Sequence, residues 1–259
     1  KDIDIIIHLA GIVGKESSEK SEFIIYSGPY KHREYHFNFP LILTPLHIRL
    51  VSHFLGDSCL ERSSCRWSQK SIVGGNIMIA LINKLLGITI KKGSKDAYGI
   101  PIILGDIVSG SLSLKREDLK THLLVDKVNL LPKEYRVQML AGFIVDEGHV
   151  TRSLIKIVNT DLSLLRSFKN LILSLGYSCS EIKISNQKKD EKILIKGNLA
   201  KMNHPLYQLL IYADGMFNFN KDLHFLIRNY GEVAGLWQKQ NDLIYFSSKV
   251  NIEKLQKIR

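Results

Sequence analysis

Two acidic residues, Asp57 and Glu147, each close a stretch of sequence that has the periodicity of a helix. Residues 45–57 have the sequence PLHIRLVSHFLGD, and residues 132–147 have the sequence PKEYRVQMLAGFIVDE. Each stretch begins with proline, which suits the first turn of a helix, and carries apolar residues three and four positions apart. If the fold brought the two carboxylates together, their repulsion would raise a pKa unless a cation lay between them. Binding a divalent metal through oxygen ligands is therefore the chemistry that this pair could do.

A structural interpretation of the same acids is that they merely end two helices in solvent. A carboxylate at the C-terminal end of a helix is opposed by the helix dipole, so this interpretation is the less favoured one. Asp146 is the nearest competitor for Glu147, because it precedes Glu147 by one position.

The elements around the two acids occur twice in the same order. Each helix is followed by a stretch suited to β-structure, residues 58–69 and 149–159, and the second of these is rich in Val, Ile and Thr. A second helix is predicted next in each half, at residues 76–86 and 162–175. These patterns indicate an internal repeat.

Glycines end both of these second helices at matching distances. Gly87 and Gly176 stand just past the last apolar turn, where glycine commonly stops a helix, and Thr160 or Asp161 caps the start of the later one. The acids are separated by 147 − 57 = 90 positions and the glycines by 176 − 87 = 89 positions. Two unrelated segments would not be expected to keep this register across three elements.

Further strands complete each half. In the second half, residues 181–185 and 192–196 predict a hairpin, and a helix is predicted around residues 205–213. The first half has a looser counterpart at residues 88–92 and 98–104. Each half therefore has the predicted order α-β-β-α-β-β with an added helix. The predicted parts of the chain are an N-terminal extension with strand character at 1–39, a first repeat at 40–128, a second repeat at 129–235 and a C-terminal tail at 236–259.

Residues 140–148, with the sequence LAGFIVDEG, resemble the LAGLIDADG motif of homing endonucleases. Residues 50–58, with the sequence LVSHFLGDS, resemble a diverged first copy of that motif. The resemblance covers residues 41 to about 235. Asp57 and Glu147 both fall at the eighth position of the motif, which is the catalytic position of the family.

The chain departs from the motif in both copies. Val145 stands where the motif often has an acid, Ser58 replaces its last glycine, and Val51 with Ser52 replaces Ala-Gly in the first copy. These changes leave both acids in place. They also leave open that the fold has been kept while cleavage has weakened or ceased.

The resemblance implies an α+β fold made of two pseudo-symmetric αββαββα repeats. The two motif helices would pack side by side at a pseudo-twofold axis, and two antiparallel sheets would form a saddle over double-stranded DNA. Close helix packing needs small residues on the facing sides, which Ala141 and Gly142 supply in one helix and Ser52 and Gly56 in the other.

The resemblance also implies that Asp57 and Glu147 are catalytic and hold a divalent metal, Mg²⁺ or Mn²⁺. Such a metal could polarise the scissile phosphate, make hydroxide from water and stabilise the leaving 3′ oxygen. Lys196 ends the last predicted hairpin strand, near where the family places an accessory basic residue. We therefore add Lys196 to the candidate catalytic residues.

In the family, the sheets carry basic side chains into the major groove of DNA. Alternate residues of a strand point to the same face, so basic residues of equal parity share a face. The candidate DNA-binding residues are Arg62, Arg66 and Lys70 in the first half and Arg152, Lys156, Lys183 and Lys192 in the second. A solvated sheet face would carry similar residues, since lysine is common on protein surfaces.

Composition agrees with a polyanionic partner. The chain of 259 residues has 36 Lys and Arg against 25 Asp and Glu, for a formal net charge of +11, which attracts nucleic acid or, as the second choice, an anionic membrane surface. No apolar run reaches the roughly 18 to 20 residues of a membrane-spanning helix. Three cysteines without metal-ligand spacing favour a reducing, intracellular setting, and the initial Lys1 suggests a fragment of a longer chain.

We therefore predict a monomeric, metal-dependent, site-specific endonuclease of double-stranded DNA, encoded in an intron or free-standing. The alternative is a catalytically silent protein on the same fold, either an RNA-splicing maturase that binds intron RNA or a DNA-binding regulator. A third interpretation is an unrelated basic α/β protein whose motif match is accidental.

Overall fold

The structure, a computed structural model, describes residues 14–16, 22–27, 33–38, 42–60, 65–93, 96–151, 153–185, 192–195, 198–201 and 204–236. The α-helices of this part are α1 (Pro45–Leu55), α2 (Ile72–Leu86), α3 (Ile102–Ser111), α4 (His122–Val128), α5 (Lys133–Glu147), α6 (Leu162–Ser174) and α7 (Ala213–Tyr230). Two 3₁₀ helices lie at Arg116–Lys120 and Glu232–Ala234. The strands are β1 (Gly14–Glu16), β2 (Glu22–Ser27), β3 (Arg33–Asn38), β4 (Ser58–Leu60), β5 (Cys65–Ser68), β6 (Ala97–Ile100), β7 (Gly148–Val150), β8 (Ile155–Asn159), β9 (Lys183–Ile184), β10 (Lys192–Ile195), β11 (Asn198–Lys201) and β12 (Tyr207–Ile211).

The chain is an α+β protein in which the order α-β-β-α-β occurs twice. Among the described residues, the first half runs α1, β4, β5, α2, β6, α3, α4, and the second runs α5, β7, β8, α6, β9, β10, β11, β12, α7. The first sheet has the order β4-β5-β6 and the second the order β7-β8-β12-β9, with antiparallel pairing in both. The predicted fold of two α+β repeats with antiparallel sheets is confirmed.

Local signals placed most helix boundaries well. Gly87 and Gly176 follow α2 and α6 with positive φ angles of 68° and 77°, the conformation that lets glycine end a helix. Asp161 caps α6, because its carboxylate accepts the backbone N–H groups of Ser163 and Leu164. Helix α2 begins four residues before the predicted start at 76, since the Ser71 hydroxyl accepts the Gly74 N–H at 3.1 Å and caps an extra turn.

The last strands of the second half differ from the prediction. The prediction of a hairpin between residues 181–185 and 192–196 is wrong, because β9 pairs with β12 and β10 pairs with β11. The prediction of a helix around residues 205–213 is also wrong, because residues 207–211 form β12 in the interior of the sheet. Leu209 and Ile211 are buried in alternation with more exposed neighbours, which is the period of a strand. Helix α7 starts only at Ala213.

The first half shows a similar difference at its end. Its predicted strand 98–104 stops at Ile100, because Pro101 precedes the helix α3 that takes up the remaining residues. Before it, the predicted strand 88–92 is reduced to an isolated bridge between Lys92 and Tyr98. The described residues of the N-terminal extension form the meander β1-β2-β3, in agreement with its predicted strand character.

The centre of the molecule is the packing of α1 against α5. Every residue of α1 is buried, and so are ten consecutive residues of α5, 137–146. One continuous hydrophobic cluster extends from these helices to the inner faces of both sheets. No helix in the described part of the chain is long and apolar enough to cross a membrane.

Helix α1 begins with a buried histidine that accepts a hydrogen bond. The backbone N–H of Thr44 donates to His47 Nδ1 at 3.1 Å, and burial lowers the pKa of His47 to about 4. The unfolded chain takes up a proton at His47 below its ordinary pKa of 6.5, whereas the folded chain does so only near pH 4. Stability is therefore present above pH 6.5 and is lost as the pH falls towards 4.

We expect acidification from pH 7 to pH 4 to remove on the order of 3 kcal/mol of unfolding free energy through His47. In His47→Gln, the side-chain amide oxygen keeps an acceptor for the Thr44 N–H but has no proton to gain, so this part of the pH dependence should disappear. Urea denaturation of both proteins across that pH range measures the difference. Equal pH slopes in the two proteins would contradict this account of the start of α1.

Candidate nuclease site

The two central helices approach each other most closely at small residues. A Cβ added at Gly142 of α5 would lie 2.7 Å from Ser52 Cβ and 3.0 Å from the Arg49 carbonyl oxygen. The Ser52 hydroxyl donates to the Met139 carbonyl at 2.8 Å. Ser52 and Gly142 both occupy the third position of their motif copies, so the predicted pairing of the helices at these residues is confirmed.

One turn further on, the seventh positions of the two copies also face each other. A Cβ added at Gly56 would lie 2.7 Å from Asp146 Oδ2. The helices therefore keep the same register over two successive turns, and they run towards the same end of the molecule. Because Asp57 and Glu147 follow Gly56 and Asp146 directly, both motif acids lie at that end.

Each acid joins a central helix to the edge strand of a sheet. Asp57 lies in the turn after α1 and before β4, whereas Glu147 is the last residue of α5 and precedes β7. Both residues are half-buried. Each acid therefore stands where the helix pair meets a sheet, as a residue that is only partly buried.

The donor set at this end suits a hard divalent cation. Asp57 and Glu147 supply only carboxylate oxygens, the ligands that Mg²⁺ and Mn²⁺ prefer. In the described part of the chain, no group of three or more His, Cys, Asp or Glu side chains is arranged to hold a metal. A magnesium-type ion commonly takes only one or two protein carboxylates and fills its other positions with water and phosphate oxygens, so the pair fits this kind of site.

Asp146, the competitor of Glu147, lies in the interior. Its carboxylate is within 3.0 Å of His53 Nδ1, and both side chains are fully buried. The indole N–H of Trp67 points to the other oxygen at 3.4 Å. Of the two neighbouring acids of α5, Glu147 is the one that reaches the surface.

The outer face of the first sheet forms a cleft that starts at Asp57. The cleft has a volume of about 580 Å³. Its lining residues include Asp57, Cys59, Arg66, Ser68, Lys91 and Gly99. Arg66 is exposed in the middle strand, between Cys59 on β4 and Gly99 on β6. An arginine and a lysine therefore share a concave surface with one of the motif acids.

Lys91 was not among the predicted DNA-binding residues. It precedes the bridge residue Lys92, and in the sequence it looked like any other lysine of a polar stretch. The predicted residue Lys70 is exposed just after β5.

The outer face of the second sheet also carries predicted residues. Ile155 and Ile157 of β8 face the core, so Lys156 between them faces outwards, opposite His149 and Leu210. Lys183 on β9 is exposed and pairs with Gln208, which in turn pairs with Val158. Since Val158 is two residues from Lys156, Lys156 and Lys183 lie on the same outer face.

The remaining predicted site residues are placed only in part. Arg62, Arg152 and Lys196 lie outside the described residues. Lys192 opens β10, opposite Lys201 of β11, in a two-stranded hairpin that is separate from the sheet β7-β8-β12-β9. Lys196 was predicted to lie near the motif acids because it ended the hairpin of residues 181–185 and 192–196. That hairpin does not form.

Lys120 contacts the backbone at the start of β4. Its ammonium group donates to the carbonyl oxygen of Ser58 at 2.6 Å, one residue after Asp57. Lys120 belongs to the 3₁₀ helix 116–120 and is 62 positions away from Ser58. No local pattern in the sequence could have indicated this contact.

Comparisons with known proteins give a distant structural likeness. The sequence matches no protein-family model and no curated protein. The chain resembles a structure of mesophilic variants from the homing endonuclease I-DmoI, with 15% sequence identity over 71% of this chain and 89% of that chain and a TM-score of 0.45. It also resembles crystal structures of I-DmoI in complex with DNA and Ca (17% identity, 71% and 89% covered, TM-score 0.42) and with DNA and Mn (18% identity, 70% and 94% covered, TM-score 0.42).

Proposed function

We propose that this chain is a monomeric, metal-dependent endonuclease of double-stranded DNA, with Asp57 and Glu147 as the acids of its active centre. The observation that carries the proposal is the in-register pairing of α1 and α5 at Ser52–Gly142 and Gly56–Asp146. This pairing sends two half-buried carboxylates, one from each repeat, to the same end of the central helices. Packing alone does not require two buried helices to carry an acid at the same position of their C-terminal ends.

The two acids would hold a divalent cation together, one carboxylate from each half. When bound, the cation supplies Lewis-acid polarisation of the scissile phosphate and offsets the negative charge that develops during hydrolysis. Asp57 and Glu147 would hold it at the shared end of the two central helices.

The outer faces of the sheets would bind the DNA. Arg66 and Lys91 lie on the first face, and Lys156 and Lys183 on the second. Basic residues on a sheet contact phosphates and base edges in the major groove. The net charge of +11 adds long-range attraction for the duplex.

Selection from a randomised DNA library tests the proposal without knowledge of the target. Circular double-stranded DNA with a randomised insert is incubated with the chain and Mg²⁺, and linear products are recovered and sequenced. We expect only circles with a narrow class of insert sequences to be linearised, and we expect a metal chelator to prevent this cleavage. DNA binding without cleavage would instead identify a catalytically silent binding protein. If the chain neither binds nor cleaves DNA, the nuclease interpretation is wrong.

We expect Arg66→Gln to lower the salt dependence of DNA binding. Each phosphate contact releases counterions, so losing one contact reduces the slope of log K against log salt concentration by about 1. The matched control is Arg228→Gln, which removes an exposed arginine from helix α7. Fluorescence anisotropy at several salt concentrations measures both slopes, and equal slopes for the two variants would contradict the assignment of this sheet face to DNA.

A further inference from the structure

Asp146 occupies the position before one motif acid and contacts the position before the other. It is itself the residue before Glu147 in α5. Its carboxylate packs against Gly56, the residue before Asp57, closely enough that an added Cβ at Gly56 would lie 2.7 Å from Asp146 Oδ2. A single side chain therefore links the backbone positions of both acids.

Donors from two other elements hold the Asp146 carboxylate. His53 of α1 lies at 3.0 Å from one oxygen, and Trp67 of β5 lies at 3.4 Å from the other. A carboxylate can only accept, so His53 Nδ1 carries the hydrogen. The His53 ring also packs on Trp67, with 5.3 Å between the ring centroids. The orientation of Asp146 is thus fixed from the opposite helix and from the first sheet.

Helix α1 also supplies the charge that balances Asp146. Burial lowers the pKa of Arg49 to about 9, while the attraction of Asp146 acts to raise it, so Arg49 is cationic at neutral pH. A buried carboxylate is costly unless it is paired and hydrogen-bonded. The groups that compensate Asp146 of α5, His53 and Arg49, both belong to α1.

The two halves are not equivalent at this level. Gly56 is the counterpart of Asp146, and Phe143 is the counterpart of His53 in the other motif copy. Small residues are enough for close helix packing, and a buried polar pair commonly adds little stability compared with apolar packing. The polar contact at the helix ends therefore points to a role beyond stability.

We propose that Asp146, oriented by His53, is a positioning residue that sets the separation between the Asp57 and Glu147 carboxylates. This inference rests on the proposed nuclease function, because the separation matters when the two acids share a cation. Displacement of one helix end by about 1 Å changes how a shared ligand is held and can cost two orders of magnitude in rate.

Crystal structures of the unaltered chain and of Asp146→Asn test the inference without metal or DNA. The substitution keeps the shape of the side chain and removes its charge. We expect the distance between the Asp57 and Glu147 carboxyl carbons to change by more than about 1 Å, or Glu147 to occupy more than one rotamer. If Asp146→Asn does not fold, His53→Phe removes the donor from α1 and introduces the residue of the matching position in α5. An unchanged separation in the variant that folds would overturn the inference.

Cleavage of a library-selected DNA gives the second readout. We expect Asp146→Asn to lower kcat by roughly 10- to 100-fold, the usual effect of losing a group that orients a metal ligand, with the DNA Kd in Ca²⁺ unchanged. The matched control is Asp106→Asn, which weakens the pair of the buried Asp106 with the partly exposed Arg116 in the first half and should lower stability without changing kcat.

The outcomes separate the two proposals. If the unaltered chain cleaves and Asp146→Asn cleaves at the same rate with the same carboxyl separation, only the positioning role fails. If the unaltered chain cleaves nothing, the proposed function fails, and the crystallographic separation still decides whether Asp146 sets the spacing.

Discussion

Asp57→Asn and Glu147→Gln are each expected to lower DNA cleavage by roughly 10³-fold, which corresponds to about 4 kcal/mol of activation free energy. Each change removes the negative charge of one acid and keeps its size. The remaining carboxylate alone would hold a divalent cation weakly, so the polarisation of the scissile phosphate would be lost. The measurement is the single-turnover rate of cleavage of a library-selected DNA in Mg²⁺.

DNA affinity is the internal control for this prediction. Neither substitution removes a positive charge from the basic residues of the two sheet faces, so the Kd in Ca²⁺ should stay within a few-fold of the unaltered value. Asp126→Asn, which neutralises an exposed acid on α4, should leave both rate and affinity unchanged. Full cleavage by either motif variant would remove that acid from the active centre.

Gly142→Leu is expected to lower the free energy of unfolding by at least about 3 kcal/mol, because the new side chain has no room between the central helices. The nearest atoms to an added Cβ include the Arg49 carbonyl oxygen at 3.0 Å, which is backbone and cannot rotate away. The helices would have to separate along their whole contact. Urea denaturation followed by far-ultraviolet circular dichroism measures the loss.

Gly99→Leu is the matched control, since an added Cβ at Gly99 meets nothing within 4 Å. It changes the same residue type to the same side chain on the outer face of β6. We expect a small change in stability there. Equal losses for the two variants would show that the close approach at Gly142 does not hold the repeats together.

Local chemistry made much of the fold predictable. A proline at the start of α1, the positive-φ glycines after α2 and α6 and the Asp161 cap depend on neighbouring residues alone. Such signals are visible in a single sequence. The matching spacing of acids and glycines then placed both halves in one register, which the pairing of Ser52 with Gly142 bears out.

The sequence-based predictions were wrong where contacts between residues far apart in the chain decide the structure. The apolar run 207–211 fits a helix or a strand, and its pairing with β8, some fifty residues earlier, makes it a strand. The buried contact of Asp146 joins residues 93 positions apart, and that of Lys120 with Ser58 joins residues 62 apart. The first contact is made where the two halves pack together, and the second where the 3₁₀ helix 116–120 meets β4. A periodicity along the chain encodes neither.

A crystal of this chain soaked in Mn²⁺ shows whether Asp57 and Glu147 hold a divalent cation between them. The anomalous signal of manganese locates the ion independently of any assumption about its ligands. We expect a peak between the Asp57 and Glu147 carboxylates at the end of the paired helices, and its loss in Asp57→Asn. A peak elsewhere with these carboxylates empty, or two carboxylates that point away from each other without a shared ion, would contradict it.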